Sequence, residues 1–157
     1  QPESTSNWVC ISAAFSSNLK AVHPQDFQAV GDLSWDGYVK ANRSCSGSAM
    51  AQVFHETCRL TYAGQGEVHI FSQKEFCNKV ENRYTLAPHS AFAEHSRDIR
   101  LNTFDSLDAI EFCGSEIAMV TLRVGHLPCL WTDYLTCAKI KGRWWIVHIP
   151  GNTCNRS

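Results

Sequence analysis

The spacing of apolar residues in the first third of the chain predicts two helices. Small or apolar residues share one face of a helix that begins near Gln25, at Phe27, Val30, Leu33, Gly37, Tyr38 and Ala41. Each internal glycine weakens such a helix by about 1 kcal/mol. After a break at 44–47, a short second helix places Met50, Val53 and Phe54 on one side. The folded part of the chain therefore begins with helices.

A hairpin and a third helix are predicted next. Segments 57–62 and 67–71 have strand-like composition, and Gly-Gln-Gly at 64–66 supplies the turn between them. The third helix begins at Gln73, because Ser72 and Glu75 have the spacing of a capping box, in which each side chain accepts a hydrogen bond from a free backbone N–H. We expect this helix to end near 83–84.

The second half of the chain is rich in β-branched and aromatic residues, which favour strands. Four strands are predicted, over 107–112, 116–124, 131–141 and 143–149. Helices grouped before an antiparallel sheet indicate an α+β domain. Both faces of the late strands carry apolar residues, whereas a sheet with one wet face alternates apolar and polar ones. Helices can cover one face, and we expect a second copy of the chain to cover the other.

Length and charge limit the class of function. The chain of 157 residues suits one domain, and 14 basic against 15 acidic residues give a formal net charge of −1. A nucleic-acid-binding domain normally carries a basic excess, so nucleic acid is not an expected partner. The longest apolar runs, such as 144–149, are too short for a membrane-spanning helix, which needs about 20 residues.

Eight cysteines bear on the compartment: Cys10, Cys45, Cys58, Cys77, Cys113, Cys129, Cys137 and Cys154. No two have the CxxC spacing of a zinc or thioredoxin-like site. One interpretation is a cytosolic protein with buried free thiols, and the other is a secreted protein with disulfides. We expect the second, since the count is even, the chain starts at Gln1, and Asn42 and Asn155 begin N-glycosylation acceptor sequences. The pairing of the cysteines stays open.

Two sequences near the C-terminus resemble a known superfamily. Trp-Thr-Asp-Tyr-Leu-Thr at 131–136 and Gly-Arg-Trp-Trp-Ile-Val at 142–147 resemble the closing strand pair of the nuclear transport factor two-like superfamily. Within it, the chain is most similar to the lumazine-binding-like and polyketide-cyclase-like branches, which show "DYL" followed by "G-x-W-x-I-V". Val-Phe-His at 53–55 and Gly-Ser-Glu-Ile-Ala at 114–118 match further motifs of those branches.

The resemblance implies a cone-shaped fold, in which a curved antiparallel sheet wraps around about three helices and leaves a pocket inside. It also implies a homodimer through the outer face of the sheet. On this basis residues 24–152 form a single domain, 1–23 an N-terminal extension and 153–157 a tail. The scaffold hosts isomerases, cyclases, dehydratases, carotenoid-binding domains and protein-binding modules, so the resemblance implies no single reaction.

Large side chains are the candidates for lining such a pocket. They are Trp35, Tyr38, Phe54, Tyr62, Phe112, Met119, Trp131, Tyr134, Trp144 and Trp145. These residues equally suit an ordinary aromatic core, and the two interpretations overlap. As a pocket lining, they favour a flat, apolar ligand.

Proton-transfer chemistry has fewer candidates. In isomerases on this scaffold, a buried carboxylate moves a proton next to a carbonyl group. Asp133, His148 and His55 are the candidates for such a base, and His69 and Tyr38 are weaker ones. Asp133 and His148 lie on either side of the last predicted turn, where they could be diagonal neighbours. A structural hydrogen bond is the alternative role for each. The histidines show no metal-binding spacing, so no metal is expected.

Three classes of function follow from these observations. The first is a secreted binding protein that holds an apolar, conjugated ligand such as a carotenoid, another isoprenoid, a steroid or a pterin; a bound chromophore of this kind is the only cofactor considered. The second is an isomerase, cyclase or dehydratase with a pocket Asp or His as base. The third is a ligand-free dimeric interaction module. We favour the binding protein, because aromatic residues are plentiful and no clear acid–base constellation is present.

Overall fold

A computed structural model describes residues 22–64, 66–82, 105–126, 129–151 and 155–156. The helical elements are α1 (Pro24–Asp32), a π-helical segment (Leu33–Val39), α2 (Lys40–Arg43), α3 (Gly47–Val53) and α4 (Gln73–Glu81). The strands are β1 (Phe54–Gly64), β2 (Glu67–Ser72), β3 (Ser106–Phe112), β4 (Ile117–His126), β5 (Cys129–Ile140), β6 (Arg143–Gly151) and β7 (Asn155–Arg156). The α+β class and the predicted order of elements are confirmed. Of the predicted extension at 1–23, residues 1–21 lie outside the described residues.

The first helix is continuous through α1, the π-helical segment and α2. The His23 side chain caps its start, and Pro24 occupies the first turn, where a missing N–H removes no helical bond. In the π-helical segment, Gly37 lies against α3, because a Cβ atom there would come within 2.5 Å of Val53 Cγ1. The glycine thus permits close packing of the two helices rather than merely weakening one of them.

The capping box predicted for α4 is confirmed. The Ser72 side chain accepts from the Glu75 backbone N–H, and the Glu75 carboxylate accepts from the Ser72 backbone N–H. This arrangement starts the helix directly after β2. The helix then contributes Cys77 and Val80 to the core.

The strands form one sheet in the order β2-β1-β6-β5-β4-β3, with β7 beside β5. Neighbouring strands are antiparallel, apart from β1 and β6, which are parallel. A parallel pair needs a long crossover connection, and here all of the chain from β2 to β5 supplies it. The sheet is therefore mostly, but not wholly, antiparallel as predicted.

The two faces of the sheet differ in burial, because side chains alternate along a strand. The face toward the helices, called the inner face below, carries fully buried residues such as Val120, Leu122, Leu135 and Ile146. The opposite, outer face carries exposed apolar residues, among them Met119 at 38% and Tyr134 at 42% exposure. The core thus lies between the helices and the inner face.

A register shift in β6 changes which residues face the core. Cys137 pairs with Ile146, but Thr136 pairs with His148, so β6 has one extra residue at this point. A one-residue shift moves every later side chain to the other face. For this reason Ile149 is buried on the inner face, while His148 joins the outer face beside Thr136.

Two ion pairs connect the helices to the sheet. Asp26 of α1 accepts hydrogen bonds from Lys139 Nζ (2.7 Å) and Trp144 Nε1 (2.9 Å), and both bonds lower the pKa of its carboxyl. Arg43 at the end of α2 makes a bidentate pair with Asp105, which precedes β3; the side chains are 10% and 2% exposed. No helix among the described residues is long and apolar enough to cross a membrane.

Candidate functional site

The candidate site is centred on Asp133 of β5. Its side chain lies on the inner face, in the same alternation as the buried Leu135. Tyr38, from the π-helical segment, donates its hydroxyl proton to Asp133 Oδ2 over 3.0 Å. π-helical turns often occur at functional sites, and here the turn carries the residue that contacts the carboxylate. Sequence analysis named both residues but did not bring them together.

The environment of Asp133 disfavours its charged form. The residue as a whole keeps partial solvent exposure, but protein atoms crowd around the carboxyl group. This desolvation raises the pKa of Asp133 to about 6, and the hydrogen bond from Tyr38 opposes part of the rise. Asp133 can therefore exchange its proton near neutral pH, where an ordinary aspartate stays ionised.

Tyr62 reaches the same end of the inner face. It follows the buried Leu60 by two residues on β1 and pairs with Gly151 on β6. A Cβ atom at Gly151 would lie only 3.0 Å from Tyr62 Cδ2. Such a Cβ atom would lie closer still to the β1 backbone, 2.8 Å from the Thr61 carbonyl oxygen and 2.9 Å from Tyr62 Cα, so the glycine lets the two strands approach closely beside the tyrosine. Gly151 was not recognised as a site residue, since only its contact with a distant strand reveals its role.

Trp131 adds a hydrogen-bond donor two residues before Asp133. It lies on the inner face, opposite the buried Val124 of β4. Its indole Nε1 is buried and has no hydrogen-bond partner among the described residues. The site therefore combines one carboxyl group, one orphan N–H donor and the tyrosines Tyr38 and Tyr62.

Several other predicted lining residues pack on one another in the core. The Phe54 ring lies 6.1 Å from Tyr38 and 6.0 Å from Phe76, measured between ring centroids. Phe112 meets Trp144 edge-on at 5.7 Å. Trp35 is partly buried against the same core. These contacts fit the interpretation that the residues form part of the hydrophobic core. Tyr38 in addition contacts Asp133 in the candidate site.

Three predicted lining residues lie on the outer face instead, away from the site. They are Met119, Tyr134 and Trp145. The first two are exposed, and the Trp145 ring packs between His55 at 5.8 Å and the Arg143 guanidinium at 3.8 Å. Their strand alternation places them opposite the core, so the expectation that they line an inner pocket is wrong.

The histidine candidates also lie away from Asp133. His148 Nε2 is 3.1 Å from Thr61 Oγ1 on the outer face, so the register shift in β6 separates it from Asp133 by the thickness of the sheet. His55 Nδ1 is 2.7 Å from Thr57 Oγ1. His69 lies on the exposed edge strand β2, 3.4 Å from Glu67. The expected approach of His148 to Asp133 is therefore wrong.

A concavity lies at the opposite end of the sheet, beside the turn between β5 and β6. It has a volume of about 490 Å³ and is lined by Gln25, Asp26, Ala29, Leu33, Lys139, Gly142, Arg143 and Trp144. Its polar groups are largely occupied: Asp26 binds Lys139 and Trp144, and Arg143 donates to the Gln52 carbonyl. Sequence analysis did not anticipate this groove.

The five cysteines whose side chains the structure describes form no disulfide, so the predicted disulfides are not shown. Cys45, Cys58, Cys77, Cys113 and Cys137 are all free thiols, and four of the five are buried. They pack as small apolar side chains. Burial raises the pKa of both Cys58 and Cys137 to about 12. Cys10, Cys154 and the side chain of Cys129 lie outside the described residues.

The two predicted glycosylation sites differ in how far the structure describes them. Asn42 is buried in α2 at 6% exposure, which argues against a glycan on the folded chain. Asn155 lies in β7, and its side chain is outside the described part. Among the described residues, no group of three or more His, Cys, Asp or Glu side chains could hold a metal ion.

Comparison with solved structures defines the class of fold. A nuclear transport factor two-like protein of unknown function from Silicibacter pomeroyi is 19% identical, with 83% of this chain and 97% of that chain covered and a TM-score of 0.65. A second such protein, from Shewanella baltica, is 12% identical, with 88% and 100% covered and a TM-score of 0.68. A putative scytalone dehydratase from Novosphingobium aromaticivorans is 14% identical, with 85% and 88% covered and a TM-score of 0.52. The chain thus has the nuclear transport factor two-like fold.

The family is narrower than the fold. The family model described as "Putative lumazine-binding" matches residues 25–149, and the chain belongs to that family. No curated protein matches the chain. The family and superfamily resemblance inferred from 131–136 and 142–147 is confirmed.

Proposed function

We propose that the protein binds a small, largely apolar molecule on the inner face of the sheet, at Asp133. The supporting observation is the desolvated carboxyl of Asp133, held by Tyr38 beside Tyr62 and Trp131. A buried carboxylate is costly for a fold unless it is paired, so its presence in an aromatic setting suits a binding role. The family description supports a small-molecule ligand.

The carboxylate selects among the ligand classes predicted from the sequence. A ligand with an O–H or N–H group can donate to Asp133, as a pterin, a hydroxysteroid or a hydroxylated isoprenoid would. A pure hydrocarbon such as a carotene offers the carboxylate no hydrogen bond beyond the one from Tyr38, and a hydrogen bond to a charged group contributes about 1.5–3 kcal/mol. We therefore favour a flat ligand with one hydrogen-bond donor over a hydrocarbon.

Matched probes test this proposal. Tetrahydro-2-naphthol carries a donor, and its methyl ether has the same skeleton without one. We expect isothermal titration calorimetry to show at least tenfold tighter binding of the naphthol. Asp133→Leu, which keeps the side-chain shape and removes both oxygens, should abolish that preference. Glu116→Gln, which changes an exposed carboxylate directly before β4, is the control and should leave the preference intact.

A second candidate function, proton-transfer catalysis, is favoured by the pKa of Asp133. A general base works best with a pKa near the working pH, and burial raises the pKa of Asp133 to about 6. In this reaction the carboxylate would take a proton from a carbon next to a carbonyl and return it. We would detect it as exchange of the α-protons of 2-tetralone in D₂O by NMR. Exchange no faster with the wild type than with Asp133→Leu would exclude this role for Asp133.

We also propose that the outer face joins two copies of the chain. Across the strands from β1 to β3, a row of outer-face residues consists of Arg59, His148, Thr136, Met119 and Glu111. It has a cation at one end, an anion at the other and exposed apolar surface nearby. A two-fold axis that is parallel to the strands and passes over Thr136 would reverse the order of this row in the second copy. Arg59 would then face the partner's Glu111, and the same contact would form at the other end of the row.

A charge reversal tests this dimer. We expect analytical ultracentrifugation to show a dimer for the wild type, weaker association for Arg59→Glu, and restored association when Glu111→Arg is added. A wild-type monomer at high protein concentration contradicts the proposal. A dimer that ignores both substitutions places the interface elsewhere. The third predicted class, a ligand-free interaction module, would keep this dimer and bind neither naphthol probe.

Secretion remains a prediction from the sequence. The buried thiols and the buried Asn42 give it no support. Fractionation of cells that express the full natural gene, with mass analysis of Asn155 for a glycan, would test it.

A further inference from the structure

Trp131 carries the strongest unexplained feature of the described chain. Its indole Nε1 is shielded from solvent, yet no acceptor among the described residues lies within hydrogen-bond distance. Leaving a buried donor unpaired costs about 1–3 kcal/mol. Buried donors are nearly always satisfied in folded proteins, and each exception calls for a physical explanation.

The position of the Trp131 indole N–H indicates a role in ligand binding. Trp131 and Asp133 are two residues apart on β5 and share the inner face, so their Cα atoms are about 7 Å apart. The indole N–H of Trp131 can only donate a hydrogen bond, and the ionised carboxylate of Asp133 can only accept one. Small-molecule sites use a few such polar groups in an apolar lining to fix the orientation of the ligand. Tyr38 already donates to one carboxylate oxygen of Asp133, but no described residue accepts from the indole N–H.

We infer that the indole N–H of Trp131 donates a hydrogen bond to a carbonyl-type oxygen of the ligand. This rests on the proposed binding site at Asp133 and narrows its ligand class. The ligand is a flat, apolar molecule with an O–H or N–H donor that meets Asp133 and a carbonyl acceptor that meets Trp131. Hydroxy-ketones and lactams of bicyclic size have this combination, and simple phenols or hydrocarbons do not.

The experiment compares probes that differ only in the carbonyl group. The probes are 6-hydroxy-1-tetralone and 7-hydroxy-1-tetralone, which place the carbonyl at two distances from the hydroxyl, and tetrahydro-2-naphthol, which lacks it. We expect the wild type to bind at least one hydroxytetralone about tenfold more tightly than the naphthol. Trp131→Phe keeps an aromatic ring and removes the N–H. It should erase that tenfold difference, so that the variant binds the hydroxytetralones and the naphthol with similar affinity.

A spectroscopic readout separates hydrogen bonding from packing and does not depend on a variant's stability. In ¹⁵N-labelled wild-type protein, the indole N–H signal absent from Trp131→Phe belongs to Trp131. Its proton should shift downfield when the tightest hydroxytetralone binds and stay nearly unchanged with the naphthol. Trp145 faces outward and packs against Arg143, so its indole signal is the internal control.

The outcomes distinguish failure of the inference from failure of the site. If the naphthol binds through Asp133 but neither hydroxytetralone binds more tightly, or the Trp131 signal moves equally with all probes, the inference is wrong and the site stands. If Trp131→Phe weakens the naphthol and the hydroxytetralones equally, Trp131 only packs against the ligand, and the inference is wrong. If none of the three probes binds, the proposed site and the inference fail together.

Discussion

At the residue scale, the Asp133 carboxyl lowers the stability of the folded chain at neutral pH and suits a ligand-binding role. Its folded-state pKa of about 6 lies above the unfolded value near 3.8, so the folded chain holds a proton that the unfolded chain loses between these pH values. The stability from this group is complete below about pH 4 and is lost as the pH rises through about 6. A residue that lowers stability at neutral pH and reaches an aromatic site is a reasonable centre for ligand binding.

Asp133→Asn tests this linkage. We expect the variant to be about 1–3 kcal/mol more stable than the wild type at pH 7.5, because a neutral amide avoids desolvating a charge. The difference should shrink toward zero near pH 4. Urea unfolding at both pH values measures it. A stability difference that does not change with pH would mean that the carboxyl is solvated in the folded chain.

The cysteines give a second prediction at this scale. Cys58 and Cys137 are fully buried, and burial raises the pKa of each to about 12. Because the thiolate is the reactive form, neither should react with iodoacetamide at pH 8 until the chain unfolds. Cys113 is exposed and should react quickly. Peptide mass spectrometry can map the labels. Rapid native labelling of Cys58 would contradict the described packing.

At the scale of elements, local patterns in the sequence predicted most of what the structure contains. The face of the first helix, the Ser72–Glu75 capping box and the late strands depend on neighbours within a few residues, so they could be derived directly. The parallel pairing of β1 with β6 and the register shift before His148 depend on contacts between distant strands. No local pattern reveals such contacts, and that is why His148 was expected near Asp133.

The pair Arg43–Asp105 connects two elements and gives a stability prediction. Both side chains are largely buried, so Asp105→Asn, which removes the carboxylate charge from this buried pair, should cost about 3–5 kcal/mol of unfolding free energy. The control is Asp108→Asn, whose partner Arg123 is 45% exposed; an exposed pair contributes about 1 kcal/mol or less. Urea denaturation compares them. Equal losses in the two variants would contradict the structural role given to Arg43–Asp105.

At the scale of the whole molecule, the two faces of the sheet have different roles. The inner face and the helices bury the core and place Asp133, Tyr38, Tyr62 and Trp131 at one end. The outer face leaves residues such as Met119 exposed. The pocket-lining residues predicted from the sequence came from both faces, because aromatic residues alone do not show which face of a strand lies toward the core. Alternation along β5 could have placed Asp133 beside Leu135, but the partner Tyr38 is 95 residues away.

The most direct test of the account is an NMR titration of the Asp133 side-chain carboxyl, followed by its ¹³C chemical shift and assigned with Asp133→Asn. We expect a midpoint near pH 6 in the free protein. Saturating tetrahydro-2-naphthol should lower it, since a hydrogen-bond donor favours the carboxylate. A midpoint near pH 4 that the probe leaves unchanged would mean an ordinary solvated aspartate, and it would contradict the proposed site.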